Sequence, residues 1–557
     1  MAAAQAAWPV LLDEVMQRAA RFAAAMLGFL LLASAPPPGG SPKLVVVIVV
    51  DQMPAGYLDR FSRFFGERGF ARLRAEGRLF TGARYSHTAT LTGPGHSVIG
   101  TGAYPESSGI VGNQWFDRKL GTEINSAVGP WKTGATGQCP AASPEPASPA
   151  SRVPNPCNLL SRSLAERVKQ RYPASRVVGV ALKDRAAILT PGKGADAAYW
   201  LESQPDDSAL FACSAYYPDC RERVLAYSHE EGLDAKPGDP SRMTLFQRHP
   251  AWRDWSCSLP SPCETQCPDD LASAHAEQAG LGRSFPHDVK NVTALLYTPF
   301  GNELLEGLAE RVVETYQLGA NPHGEPDLLV VGFSSTDYFG HLFGPDSCET
   351  ADGMKRLDAT VGKLLDFLTE RVDRERLRVF LTADHGVTPQ PWVSLKRGIP
   401  AGRVDLSDRG RDPKKIGDLP LLRQRIDFEL ARHLGIKEDG DTPLSDALIR
   451  GYREPNLYLN TRRVDPSSAP RARAWVKEYL LRVEGVAEVY TWDEAMRRKV
   501  PASVRLAFRP DRSGDLIIQL KPGWIEWDED AGTTHGQPYD ADARVPLLVW
   551  GAGVAPG

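Results

Sequence analysis

An α/β protein is predicted, with a mostly parallel central sheet flanked by helices and interrupted by inserted cap regions. Three observations carry this. Five short apolar runs lack alternation, the pattern of strands buried on both faces: Leu44–Val50, Val177–Leu182, Leu328–Phe333, Leu377–Thr382 and Val545–Trp550. Between two of them, Met354, Leu357, Val361, Leu364, Leu365 and Leu368 recur at helical spacing and mark a crossover helix. Four of the runs also border Asp and His residues, as expected where strand ends converge on a ligand crevice.

The length of 557 residues allows three or four domains at roughly 150 residues each, but one large α/β enzyme with insertions fills it equally well. Lys and Arg number 65 against 69 Asp and Glu, a net charge of −4, which lacks the basic excess of a nucleic-acid binder. With 42% hydrophobic and 24% charged residues the chain can bury a sizeable core. No internal repeat is visible.

Taken in order, the chain opens with Arg18 and Arg21, the apolar stretch Phe22–Leu32 and Ala33-Ser34-Ala35. This is the build of a secretory signal peptide over residues 1–35, and the stretch is short for a bilayer span. Cleavage is expected after Ala35, with Met16 a candidate start, leaving residues 36–557 as the catalytic domain without a membrane anchor. The eight cysteines all follow the leader, and their even number fits disulfides in an oxidising compartment. Cys139 is paired with Cys157 as a guess, and Cys263-x3-Cys267 is read as disulfide-forming because no second Cys/His pair stands at finger-like spacing. Residues 134–156, rich in Pro, Ala and Ser, are expected as an extended loop. Residues 201–290, with five cysteines, are expected as a disulfide-tied cap, and 387–530 as a second lobe. The stop soon after the last predicted strand raises the expectation of a truncated C-terminus.

The chemistry lies at the strand ends. The first run enters Asp51; Leu328–Phe333 leads through Ser334-Ser335-Thr336 to Asp337-x3-His341; Leu377–Thr382 leads to Asp384-His385-Gly386; and Thr533-Thr534-His535 precedes the last run. Singly, an Asp after a strand is more often a helix cap, and Asp-x3-His a surface pair. The whole set after successive strands is hard to attribute to capping. Three Asp and three His make a mixed O/N donor set that suits zinc, and six ligands suit two ions with open positions. A nucleophile is offered by Thr92, in Leu91-Thr92-Gly93-Pro94-Gly95-His96, where small residues permit a tight turn into a helix whose N–H groups favour a phosphate. A helix cap with a buried hydroxyl is the bland alternative. Asn113, in a Gly-rich turn, offers an amide donor. Lys183 and Arg185 leave a strand on one side of the extended chain. They fit the non-bridging oxygens of a dianionic phosphoryl group, Arg185 bidentately, although a solvated pair would look the same in isolation. His87 and His96 are expected to be structural and hydrogen-bonded.

Asp51, Thr92, Asp337-x3-His341, Asp384-His385-Gly386 and Thr534-His535-Gly536, in this order, resemble the alkaline phosphatase superfamily, and within it the phosphate-irrepressible periplasmic alkaline phosphatases of the PafA type. The resemblance runs from about Leu44 to the end. It implies one zinc on Asp337, His341 and His535, and a second on Asp51, Asp384 and His385 with Thr92 bridging to it as nucleophile. It implies two Zn2+ and no required magnesium, because Lys183 stands where other alkaline phosphatases keep a third metal ion. It further implies release of inorganic phosphate from small phosphate monoesters through a phosphothreonine at Thr92, in a periplasmic or secreted monomer. Phosphodiesterases of the superfamily place an apolar pocket where this chain has Lys183 and Arg185. Sulfatases use C/S-x-P-x-R, against which Thr92 and His96 depart. A catalytically silent phosphate- or glycan-binding scaffold is the alternative from another class, but such decay usually deletes a ligand or the nucleophile, and none is missing.

Overall fold

The hydrophobic runs sort themselves by how many faces they bury. The computed structural model describes residues 41–557 apart from 119, 130–136, 140–152, 205, 207, 236–240, 261–278, 407–421, 437–446 and 528–531. The expected leader, most of the Pro/Ala/Ser loop, and Cys263 and Cys267 therefore lie outside the described residues. Eight strands form the central sheet: β1 (Leu44–Val50), β2 (Arg78–Leu79), β3 (Val177–Ala181), β4 (Ala197–Ser203), β5 (Ala209–Ala212), β6 (Asp327–Phe333), β7 (Leu377–Thr382) and β8 (Leu547–Gly551). Their order is β2-β8-β7-β1-β6-β3-β4-β5. The five strands from β7 to β4 are parallel. Central β1, β3 and β6 are almost wholly buried, which is why their sequences read as unbroken Val, Ile and Leu.

One expectation is corrected. The last apolar run joins the sheet at Leu547–Gly551 and antiparallel to β7, not parallel. The reason lies upstream: His535 stands among residues at the carboxyl ends of the parallel strands. The chain therefore enters β8 from that edge and runs back. β5, paired with β4, and β2, paired with β8, are also antiparallel and close the two edges.

The helices that matter for the site are α1 (Thr92–Thr101), α2 (Asp184–Leu189), α3 (Pro299–Tyr316), α4 (Ser335–Phe343) and α5 (Cys348–Arg371). α5 is the crossover between β6 and β7, and it buries the expected stripe of Met354, Leu357, Val361, Leu364, Leu365 and Leu368. Its first turn is capped by Ser347, whose hydroxyl accepts from the Thr350 N–H.

Between β4 and α3 lie β5 and a helix at Glu222–Glu230, with a Cys213–Cys220 disulfide beside them. Further along, the Trp255 indole, the Ser258 N–H and hydroxyl, and Arg356 all donate to the buried Asp352 carboxylate of α5. This carboxylate pins the segment to the helix that follows α4. Cys139 is bonded to Cys157, as guessed, and Cys257 and Cys348 are also in disulfides. Between β7 and β8 an antiparallel sheet of Ile449–Arg453, Asn456–Leu459, Leu516–Leu520 and Val486–Thr491 packs on helices Leu422–Leu434 and Ala469–Leu480 around its own core of Leu430, Val476, Leu480 and Leu516. Among the described residues no helix is long and apolar enough to cross a membrane.

α1 packs directly on the end of β7. A methyl group added at Gly95 would stand 2.2 Å from the Asp384 carbonyl oxygen. Gly95→Ala should therefore push α1 away, costing about 1–3 kcal/mol by overpacking and lowering activity with it. Denaturant titration together with a rate measurement checks this, and a wild-type midpoint would contradict the packing.

Candidate active site

Four neighbouring strands, β7, β1, β6 and β3, end side by side, and each releases its polar residues there. They deliver Asp384 and His385, Asp51, Asp337, and Lys183 with Arg185 respectively. Adjacent strands lie about 4.8 Å apart, so the side chains meet. Lys183 Nζ stands 2.6 Å from Asp51 Oδ2 and 2.5 Å from Asp337 Oδ2. His341 Nε2 and His535 Nε2 lie 3.2 and 3.4 Å from the same oxygen, Asp337 Oδ1. His385 Nε2 lies 3.2 Å from Asp384 Oδ2, 3.5 Å from Asp51 Oδ1 and 3.5 Å from Thr92 Oγ1. Two groupings have their ligand atoms within 4.8 Å of one another: Asp51, Asp384 and His385, and Asp337, His385 and His535. His385 thus reaches both. The second grouping differs from the expected set of Asp337, His341 and His535 in having His385 where His341 was expected; His341 Nε2 still stands beside Asp337 Oδ1.

The hydrogen bonds fix how the histidines are used. Each donates from Nδ1 to a backbone carbonyl: His341 to Thr533, His535 to Thr90 and His385 to Gly386, at 2.7, 2.8 and 3.0 Å. A carbonyl can only accept, so Nδ1 carries the hydrogen and Nε2 turns toward the carboxylates. Burial lowers His385 to about 4 and His535 to about 3, so both are neutral and present a lone pair. A lone pair facing carboxylate oxygens is an acceptor facing acceptors. Asp51 Oδ1 and Asp384 Oδ2 are buried and receive no hydrogen bond among the described residues. Burial, then Asp384, push the Asp51 carboxyl well up, and burial pushes Asp384 up to about 6. Burial would likewise raise Asp337, but His341 and Lys183 hold it well below the usual carboxylate range. Asp51 Oδ1 and Asp384 Oδ2 thus face His385 Nε2 with no donor between them. The mixed O/N donors fit divalent cations of the zinc type, which would sit between these atoms.

Thr92 is the first residue of α1, after an extended Leu91, and its side chain is buried against His385. Asn113 is placed by the Gly93 N–H, which donates to its Oδ1 at 2.7 Å and so orients the amide with Nδ2 as the donor end. Arg185 stands in the first turn of α2, after the capping Lys183, and its backbone N–H donates to Asp184 Oδ1. Both cations are raised, because the neighbouring carboxylates outweigh burial. Thr92, Asn113, Lys183, Arg185 and the six acidic and imidazole residues thus gather at one end of the sheet.

Of the two leftover histidines, His96 bonds Thr190 Oγ1 from Nδ1 at 2.7 Å and has Nε2 3.5 Å from Asp384 Oδ2. His87 corrects its expectation: neither ring nitrogen has a hydrogen-bond partner among the described residues. Its ring lies edge-on to Tyr85 and Tyr104, and burial lowers it to about 3, so it packs as a neutral aromatic. Gln52 escaped sequence reasoning. It adopts φ +58, donates from Nε2 to Asp337 Oδ1 at 3.0 Å, and donates its N–H to Asp384 Oδ1. The only signal was its place after Asp51.

The model of the type I phosphodiesterase / nucleotide pyrophosphatase family matches residues 45–538. The chain belongs to this family. It is 29% identical over 91% of its length to a protein named calcium-transporting ATPase from Myroides odoratus (87% of that protein). It is 29% identical, again over 91% of its length, to the alkaline phosphatase PhoK of Sphingomonas sp (83% of that protein). Among solved structures, wild-type alkaline phosphatase PafA is similar at 27% identity and a TM-score of 0.75, covering 93% of this chain and 92% of that one.

The segment carrying His535 is held by a residue absent from the sequence reading. Asp542 accepts from the Gly536 and Gln537 N–H groups and from Thr388 Oγ1, at 3.0, 2.9 and 2.8 Å. Burial pushes this carboxyl from 3.8 up to about 7 against those bonds. The folded value exceeds the unfolded one, so the group's contribution to stability is complete below about pH 4 and lost as pH rises through about 7. Asp542→Asn does not titrate and keeps one acceptor fewer. Urea titrations from pH 4 to pH 8 should show the variant losing less stability across that window than the wild type, with activity reduced; parallel curves would contradict the assignment.

Proposed function

We propose that the protein is a zinc-dependent phosphomonoesterase, an alkaline phosphatase that releases inorganic phosphate from small phosphate monoesters through a phosphothreonine at Thr92. The observation that carries the reading is the pair Lys183 and Arg185 beside the clustered carboxylates and imidazoles: two fixed cations suit a dianionic phosphoryl group, whereas a diester carries one charge less. The alkaline phosphatase names of similar proteins support it.

Asp337, His341 and His535 would hold one zinc ion, and Asp51, Asp384 and His385 the other, with Thr92 beside the latter. When bound, the two ions supply Lewis-acid charge that lowers a hydroxyl pKa and stabilises a leaving oxygen. The residues of the chain do the positioning. Thr92 Oγ1 forms the new bond to phosphorus while the P–O bond to the alcohol breaks and the alcohol departs. Asn113, Lys183 and Arg185 hold the three non-bridging oxygens as charge redistributes. Water then attacks the phosphothreonine, returning the Thr92 hydroxyl and inorganic phosphate. Lys183, paired with Asp51 and Asp337, takes the place of a third ion, so magnesium is not required. Export to a periplasmic or extracellular compartment fits the disulfides Cys139–Cys157 and Cys213–Cys220, and we read the working form as a monomer.

Charge-assisted hydrogen bonds contribute about 1.5–3 kcal/mol each, so Lys183→Ala and Arg185→Ala should each cut kcat/KM for a monoester by about ten- to hundredfold. Kinetics with p-nitrophenyl phosphate and bis-p-nitrophenyl phosphate should show the monoester suffering far more than the diester. An unchanged ratio sinks the assignment of these two cations. Thr92→Ala should abolish turnover while leaving bound zinc in place, as metal analysis would show.

A further inference from the structure

In the sheet β1 lies between β7, which leads to Asp384, and β6, which leads to Asp337. The residue after Asp51 can therefore reach both neighbours, and Gln52 does so with two different donors. Its backbone N–H donates to Asp384 Oδ1 at 3.2 Å, and its Nε2 donates to Asp337 Oδ1 at 3.0 Å. Those two carboxylates belong to different candidate metal groups.

The structure accepts three local costs to keep this amide in place. Gln52 adopts φ +58, where glycine is the unstrained choice. The side chain is buried, and its Oε1 has no donor among the described residues. A methyl group at position 340 would run into that oxygen, and α4 carries a glycine there, between Asp337 and His341. Turning the amide over would set Oε1 against Asp337 Oδ1, acceptor against acceptor. An apolar side chain of the same length would leave no oxygen unpaired, so bulk alone does not account for a glutamine. Its effect is visible at Asp337. Lys183 holds Oδ2, while Oδ1 is the atom that His341 Nε2 and His535 Nε2 face. A carboxylate held at one oxygen can pivot; held at both, it is fixed. Because Gln52 is neutral, it fixes Oδ1 without cancelling the negative charge that a cation needs.

We propose that Gln52 is a positioning residue that locks Asp337 for metal binding and ties it to Asp384 across the end of β1. This rests on the two-metal reading above. Hydrogen bonds to a ligating carboxylate set its orientation and with it the affinity of the site. Removing the amide frees Asp337, whereas the contact to Asp384 is made by the backbone and survives. The effect therefore falls on one ion of the two.

The test uses the full chain and two variants. Gln52→Met keeps the length and bulk but has no donor, and Gln52→Gly removes the side chain while suiting the positive φ. Bound zinc is counted against a competing chelator, and kcat for p-nitrophenyl phosphate is measured at limiting and at saturating zinc. Gln52→Met should bind one zinc ion about ten- to hundredfold more weakly, the range for losing a hydrogen bond to a metal ligand, and the other as wild type does. Its kcat should fall at limiting zinc and largely recover at saturation. Wild-type affinity for both ions in Gln52→Met would show that the side chain only fills space, and would overturn the proposal. Equal weakening of both ions would show general support of the fold and overturn it as well. Should Gln52→Met fail to fold, as a urea titration would reveal, Gln52→Gly decides by the same readings. A wild type that binds no zinc would remove the two-metal reading and this assignment with it. A wild type that binds zinc yet turns over no monoester would remove the phosphomonoesterase reading alone, and one ion weakened in the variants would still support the role of Gln52.

Discussion

Buried negative charge is the constraint on which the rest of this structure depends. Three carboxylates, Asp51, Asp337 and Asp384, end up nearly solvent-free at the carboxyl ends of adjacent strands. An ionised carboxylate in such surroundings is costly unless paired. The fold answers with one ammonium, Lys183, shared between Asp51 and Asp337, and with N–H donors from Gln52 and His385. Asp51 Oδ1 and Asp384 Oδ2 remain without a donor among the described residues, which makes the place a candidate metal centre rather than a closed salt-bridge network.

That constraint also explains parts of the fold that look remote. The segment Thr533–Gln537 is stitched to three elements: to α4 through the Thr533 N–H and carbonyl, to Thr388 after β7, and to Thr90 ahead of α1. Holding His535 there forces the following strand to run backwards into the sheet edge. Asp542 fastens the same segment from below and, through its own carbonyl, receives the Gly386 N–H beside His385. Accuracy at the site is thus obtained from hydrogen bonds in which side chains are tied to backbone groups of neighbouring elements.

Much of this was legible because parallel strands buried on both faces read as unbroken apolar runs, and whatever follows such a run lies at the ligand edge. Asp51, Asp337 and Asp384 announced themselves that way, and so did Lys183 and Arg185. His341 followed from its spacing to Asp337 on one helix. Other features left no local trace. Gln52 sits at a positive φ that ordinarily favours Gly or Asn, so its type concealed its role. Asp542 lies in an Asp-Ala-Asp-Ala stretch that reads as surface, and only its burial reveals it. The direction of β8 depends on where the chain has been, which no strand pattern records. His87, flanked by hydroxyl-bearing residues, suggested a hydrogen-bonded role but pairs with aromatic edges instead.

The central claim is that a two-cation site completed by Lys183 and Arg185 makes this chain a monoesterase. Its most direct test is the wild-type protein, zinc-loaded, on p-nitrophenyl phosphate and on bis-p-nitrophenyl phosphate, before and after chelation. The account predicts a large preference for the monoester that disappears on chelation and returns with zinc alone. A preference for the diester, or turnover that survives complete removal of the metal, would contradict it.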